Sequence, residues 1–184
     1  PCAGDIPAAN AFLRELIPYI WRKNLDFAAI ADIHSIKRQI HAHKVDERVS
    51  AKGMDLKLGR GGIREIEFYV QTQQLILGGR HPELRSNRTL DALQALTEAG
   101  HVARQAQAEM SEAYKLLRAV EHRIQMLDDE QSHRLPEADA ERKRVAALTG
   151  PEPLRSFDAL ITRTLKAVNA RYGELFAEEE PLSS

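Results

Sequence analysis

Between Asp55 and Gln71 the chain reads DLKLGRGGIREIEFYVQ. Gly59, Gly61 and Gly62 stand among Lys57, Arg60 and Arg64, directly before a segment opening with Glu65 and Glu67. The first amides of a helix lack intrahelical partners and carry partial positive charge. A glycine-rich approach lets a phosphate come close to them. Lys57, Gly59, Arg60, Gly61, Gly62 and Arg64 are therefore candidate nucleotide or phosphate contacts. The pattern matches neither the P-loop nor the G-x-G-x-x-G dinucleotide fingerprint. A tight strand-to-helix turn that holds no ligand explains the same residues.

Glu65, Glu67 and Gln71 are the supporting polar candidates. On a helix advancing about 100° per residue, Glu65 and Glu67 point roughly 160° apart and cannot share one ligand. Arg64, Glu67 and Gln71 then form a polar face beside a buried Ile66–Val70 face. On an extended strand the two glutamates would share a side. The spacing of Ile63, Ile66, Val70 and Leu77 favours helix. Carboxylates in a first turn also stabilise the helix dipole without any further role.

Other constellations are weaker. His41 and His43 are too close in sequence for a helical metal pair, and His122 reads as a surface or boundary residue. Asp128-Asp129-Glu130 has the residue types to bind a cation, but reads first as a solvated charge run after a helix. No Ser/His/Asp or Cys/His arrangement and no Asp-x-Asp pair is present, so no catalytic residue and no metal ligand is assigned.

The elements that must position the glycine turn are helical. The 184 residues are 43% hydrophobic and 29% charged, but only 5% aromatic. Ala and Leu dominate, which favours helix packed on helix. A net charge of -1 offers no general attraction to nucleic acid or anionic lipid. Neither a membrane-length apolar run nor a signal peptide is present. The single Cys2 excludes a disulfide framework and fits a reducing compartment.

Helical spacing runs from Ile6 to about Lys23, with Pro18 expected to kink or split it. A second helix carries Ile30, Ile33, Ile36 and Ile40. Residues 54–60 alternate and can be extended. A helix follows from Ile63 to Gly78-Gly79. Asn87 or Thr89 is expected to cap a short helix ending at Gly100. Ala103, Ala106, Met110, Ala113, Leu117, Val120, Ile124 and Leu127 step by 3 and 4 as a bundle seam. A charged helix spans 137–148. Phe157, Ile161, Leu165, Val168, Tyr172 and Leu175 make the last seam, before a solvated tail. The expected fold is all-α, a helical bundle.

KLGRGGIREIEFYVQ resembles the signature of the glutamine synthetase adenylyltransferase family, in Lys57, Gly59, Gly61, Gly62, Ile63, Glu65, Ile66, Glu67 and Phe68. LILGGRHPELRSNRTLDALQALTEAG and LRAVEHRIQMLDDEQSHRLP are similar to later segments, and IPYIWRKNLDFAAIADIHSIK to its lead-in helices. The resemblance covers about Ile17 to Pro136. It implies a helical domain following a nucleotidyltransferase core, in an enzyme that attaches AMP to glutamine synthetase and removes it. Residues 1–53 would adjoin that core, 54–176 would form the bundle domain, and 177–184 a flexible tail.

The resemblance further implies Mg2+, ATP, ADP and phosphate for the parent enzyme, and none for this segment alone. It implies glutamine synthetase, PII signal protein and the core of the same chain as partners, in the cytoplasm. The core's glycine-serine turn and Asp-x-Asp pair do not occur here. The chain therefore reads as a piece that is inactive alone, closing the nucleotide site from one side and contacting the protein substrate. Arg64-Glu65, where the attaching half more often has Thr-Asp, resembles the removing half. The alternatives are the matching domain of a PII uridylyltransferase, against which EIEF argues, and a non-catalytic helical adaptor.

Overall fold

The computed structural model describes residues 3–23, 35, 49–128, 132–150 and 153–177. The expected helix around Ile30–Ile40, the pair His41/His43, the run Asp129-Glu130 and the tail from Glu178 lie outside these. Six α-helices are described: α1 Ile6–Ile20, α2 Ile63–Leu77, α3 Thr89–Glu98, α4 Arg104–Asp128, α5 Asp139–Thr149 and α6 Leu154–Ala177. A single 3-10 turn, Pro82–Leu84, joins α2 to α3. The architecture is an all-α bundle, and among the described residues the one sheet-like pairing is an isolated bridge between Asp55 and Arg134.

α4 is the hub and packs on α2, α3, α5 and α6. Its seam faces inward as the spacing predicts. Ala106, Met110, Ala113, Leu117, Val120 and Ile124 are buried. Ala103 is exposed, because the helix begins one residue after it. Phe157, Ile161, Leu165, Val168 and Tyr172 of α6 close the same core. The Phe68 and Tyr172 rings meet edge-on at 6.1 Å and join α2 to α6.

Local signals set the ends. Asp5 accepts the Ala8 amide at 2.9 Å and caps α1. Pro18 neither splits nor ends that helix, which continues to Ile20. Neither Asn87 nor Thr89 caps α3. Arg88 holds the cap position in an extended conformation without a side-chain bond, and Thr89 is the first helical residue. Gly100, at φ +81, ends the helix in the left-handed region.

Gly78 and Gly79 do more than stop α2. A Cβ on Gly79 would sit 1.9 Å from the Arg22 carbonyl oxygen, and one on Gly78 2.7 Å from the Trp21 ring. Arg85 stacks 5.5 Å over Trp21 and donates from Nε to the Gly78 carbonyl at 2.6 Å. The end of α1 is thereby fastened to the end of α2. α1 itself buries no residue and leaves Phe12, Leu13, Ile17 and Ile20 exposed.

Candidate functional site

The glycine turn is built on a short pairing of two distant stretches. The Leu56 amide donates to the His133 carbonyl at 2.9 Å, and the Leu135 amide to the Met54 carbonyl at 2.8 Å. Among the described residues, only Asp55 of this stretch forms a bridge. The rest of 54–60 coils into turns rather than extending. The cause is the Asp55 side chain, whose Oδ1 accepts the Lys57 amide at 2.9 Å and the Leu58 amide at 2.7 Å. This Asx-type turn bends the chain immediately after the bridge.

The amides that follow are engaged within the chain. Gly59 donates to the Asp55 carbonyl, Gly62 to Gly59, Ile63 to Leu56, Arg64 to Lys57 and Glu65 to Gly62, all between 2.8 and 3.1 Å. The Gly61 amide donates to Glu65 Oε2 at 2.9 Å. The Arg60 amide alone, among 57–65, has no acceptor recorded among the described residues. The glycine amides therefore form no open cradle, and the positive charge of the turn lies on its side chains.

The glycines are present because neighbours come too close for a side chain. Gly61 has φ +73, and its Cβ would lie 1.9 Å from the Leu165 carbonyl oxygen of α6. At Gly62 a Cβ would stand 2.7 Å from the Leu56 carbonyl oxygen, and at Gly59 2.3 Å from that of Asp55.

The candidates divide by exposure. Arg64 and Gln71 are exposed and Glu67 is half-buried on one face of α2, where the Tyr114 hydroxyl lies 3.4 Å from Glu67 Oε1. Glu65 points the other way and is only 3% exposed. The two glutamates thus serve separate surroundings, as helical geometry requires. Arg60 is half-buried, and its Nε is enclosed without an acceptor among the described residues. Lys57 is also half-buried, with Nζ 4.0 Å from Glu121 Oε1.

Glu121 was not among the sequence candidates. It is buried on α4 beside Arg118, whose Nη1 lies 2.7 Å away, and His133, whose Nδ1 lies 2.8 Å away. A signal existed. Leu117, Glu121 and Ile124 follow the seam's own spacing, and a carboxylate at such a position requires partners.

No three His, Cys, Asp or Glu side chains cluster as metal ligands among the described residues. Glu65 and Glu121 are engaged by an amide and by cations, so these residues do not fit a Mg2+ site. Among the described residues no helix is long and apolar enough to cross a membrane.

Tyr172 lies against this site from α6. Burial pushes its hydroxyl pKa up, and the Glu65 charge adds to the shift. Burial likewise raises Tyr69. The unfolded chain loses these protons near pH 10, whereas the folded chain keeps them. Their contribution is intact below pH 10 and is lost as pH rises toward the folded values. Each group should cost about 1.4 kcal/mol per pH unit across that interval. Urea midpoints at pH 9 and 11 check this, and Tyr172→Phe should make the fall shallower.

Residues 34–176 match the family described as GlnD PII-uridylyltransferase. The chain belongs to that family. Its curated relatives include the bifunctional glutamine synthetase adenylyltransferase/adenylyl-removing enzymes of Caulobacter vibrioides, 69% identical over 99% of this chain, and Agrobacterium fabrum, 57% identical over 100%. The one from Rhodopseudomonas palustris is 47% identical over 96%. The chain spans 18% of the length of each of these relatives. The family is a domain shared with the uridylyltransferase, so its name and those of the relatives do not conflict. These similarities extend over the whole chain, past the Ile17–Pro136 stretch that carries the sequence resemblance.

Proposed function

We propose that this chain is the helical domain of a bifunctional enzyme that attaches AMP to glutamine synthetase and removes it, and that it serves the removing half. The observation that carries the parent enzyme is the 47–69% identity, over nearly all of the chain, to proteins bearing that name, and the Arg64-Glu65 pair supports the removing half. In the removing reaction, phosphate displaces the protein side chain from the phosphorus of AMP, and ADP leaves. The nucleotidyltransferase core of the longer protein would hold Mg2+ and the nucleotide. This domain would close the site from the side of Lys57, Arg60 and Arg64.

The roles within the domain follow its shape. The turn is braced by the Asp55, Leu56 and Glu65 hydrogen bonds, so Gly59, Gly61 and Gly62 set where the cations stand. Glu65 and Glu67 act as supports, one inside the bundle and one on the surface with Gln71. The uncovered apolar face of α1 supports placing residues 1–53 against the core, with 54–176 as the bundle domain. Glutamine synthetase is the protein substrate and PII signal protein the regulator, both in the cytoplasm.

A longer protein carrying the upstream region tests this reading. Given adenylylated glutamine synthetase and phosphate, it should release ADP. Given ATP and unmodified glutamine synthetase, that half should incorporate no AMP. Incorporation without release would make it the attaching half. UMP transfer to PII protein, with neither glutamine synthetase reaction, would make it a uridylyltransferase domain. A protein showing none of these reactions would leave the adaptor reading.

A further inference from the structure

Glu121 is 1% exposed, yet three side chains able to carry positive charge converge on it from separate stretches of chain. Arg118 Nη1 lies 2.7 Å from Oε2, His133 Nδ1 2.8 Å from Oε1, and Lys57 Nζ 4.0 Å from Oε1. The side chains of Arg118, His133 and Lys57 keep 37%, 25% and 35% of their surface, whereas the carboxylate between them keeps 1%. From solvent, the cluster presents basic side chains and almost none of the compensating negative charge.

Its donors exceed what Glu121 accepts. A guanidinium carries five N–H groups in a fixed fork, and Arg118 is recorded using one nitrogen on Glu121. Lys57 stands outside hydrogen-bond distance of the carboxylate and retains its three donors. His133 donates its Nδ1–H to Glu121, which fixes the ring and leaves Nε2 on the opposite edge. The Gln125 amide nitrogen also approaches Nδ1, at 3.4 Å, and no described residue bonds to Nε2. Backbone geometry holds the set in place, because the Leu56 amide bonds to the His133 carbonyl and Asp55 locks the turn leading to Lys57.

We propose that Lys57, Arg118 and His133, gathered on buried Glu121, form a binding site for a phosphate oxyanion, with Glu121 as the positioning residue. Surplus convergent donors with positive charge match a group bearing several anionic oxygens. The proposal rests on reading Lys57 as a phosphate contact. It adds Arg118 and His133 and replaces the glycine amides, which are engaged elsewhere. The oxyanion is either free phosphate or the phosphate of a nucleotide.

The test titrates this 184-residue chain with inorganic phosphate and, separately, with ADP, against chloride at equal ionic strength. Ring 15N shifts of His133 and calorimetry provide the readouts. Saturable binding that moves Nε2 is expected. Arg118→Gln and His133→Gln should each weaken it about tenfold, the size of one charge-assisted hydrogen bond. Arg104→Gln, on an exposed residue at the far end of α4, should leave it unchanged. Glu121→Gln should remove the carboxylate that holds Arg118 and His133 together, move the His133 Nδ1 shift of the free chain and weaken binding, a coupled change that a carboxylate serving stability alone would not produce.

Saturation by phosphate alone assigns the cosubstrate, and saturation by ADP alone assigns the nucleotide. Absence of a saturable shift in the wild-type chain overturns the site without relying on any variant to fold. So does binding that survives both Arg118→Gln and His133→Gln. Either failure leaves ADP release by the longer protein to be judged separately.

Discussion

Gly61→Ala is expected to destabilise the chain by about 3 kcal/mol or more, read as a fall in the urea midpoint. Two costs add. Holding a residue with a Cβ in the left-handed region costs roughly 1–2 kcal/mol. Gly61 sits there at φ +73. The new carbon would also stand 1.9 Å from the Leu165 carbonyl oxygen and 2.5 Å from its carbon. Both are backbone atoms of α6, so no rotamer change can yield, and turn and helix must separate. Gly100→Ala isolates the first cost, because φ there is +81 and nothing lies within 4 Å. It should lose only about 1–2 kcal/mol. Gly173→Ala, inside α6 with open space, should gain up to about 1 kcal/mol. If Gly61→Ala is no worse than Gly100→Ala, the turn does not pack on α6 as described.

Arg142→Met is expected to cost about 2 kcal/mol, from losing several charge-assisted hydrogen bonds to acceptors that water can partly reach. Arg142 is 3% exposed at the start of α5. Its Nε donates to Asp158 Oδ1 at 3.0 Å, and Nη2 to Asp158 Oδ2 at 3.0 Å and Asp139 Oδ1 at 2.8 Å. Nη1 donates to the Pro136 and Glu137 carbonyls at 3.1 and 2.7 Å. One side chain thus ties the 136–137 loop to α5 and α6, and its loss leaves acceptors unpaired. Arg142→Lys should recover little, since an ammonium cannot reproduce the fork. Arg171, bonded to Glu109 and Glu174 on a more open surface, should matter far less when replaced. Urea midpoints of the three variants rank these effects, and equal losses at Arg142 and Arg171 would contradict the distinction.

The bundle was legible because its two long seams obey one rule. Residues 3 and 4 apart share a helix face, and the predicted positions from Ala106 to Ile124 and from Phe157 to Tyr172 are buried. The glycine turn was legible as unusual, since Gly61 needs a conformation closed to other residues. Its reason was not, because the Leu165 carbonyl that crowds it lies more than a hundred residues away. Spacing cannot show such a contact, nor could it show that Asp55 and Glu65 engage the turn's amides. Glu121 was overlooked because the seam was read for apolar residues alone. Its partners Lys57 and His133 belong to other stretches that only the 54–56 to 133–135 pairing brings together. At α3 a capping preference was expected where the chain instead places Arg88 without a side-chain cap.

The decisive measurement is ADP release from adenylylated glutamine synthetase by the longer protein carrying Lys57→Ala, with its urea midpoint taken in parallel. Lys57 Nζ is 4.0 Å from its nearest recorded carboxylate and half-exposed, so its loss should leave the fold intact. Release should fall about tenfold or more, as for loss of a charge-assisted contact, with the midpoint unchanged. Unchanged release would contradict a phosphate role for the turn. Its glycines would then be a joint between α2 and α6, and the domain's contribution would move to recognition of its protein substrate.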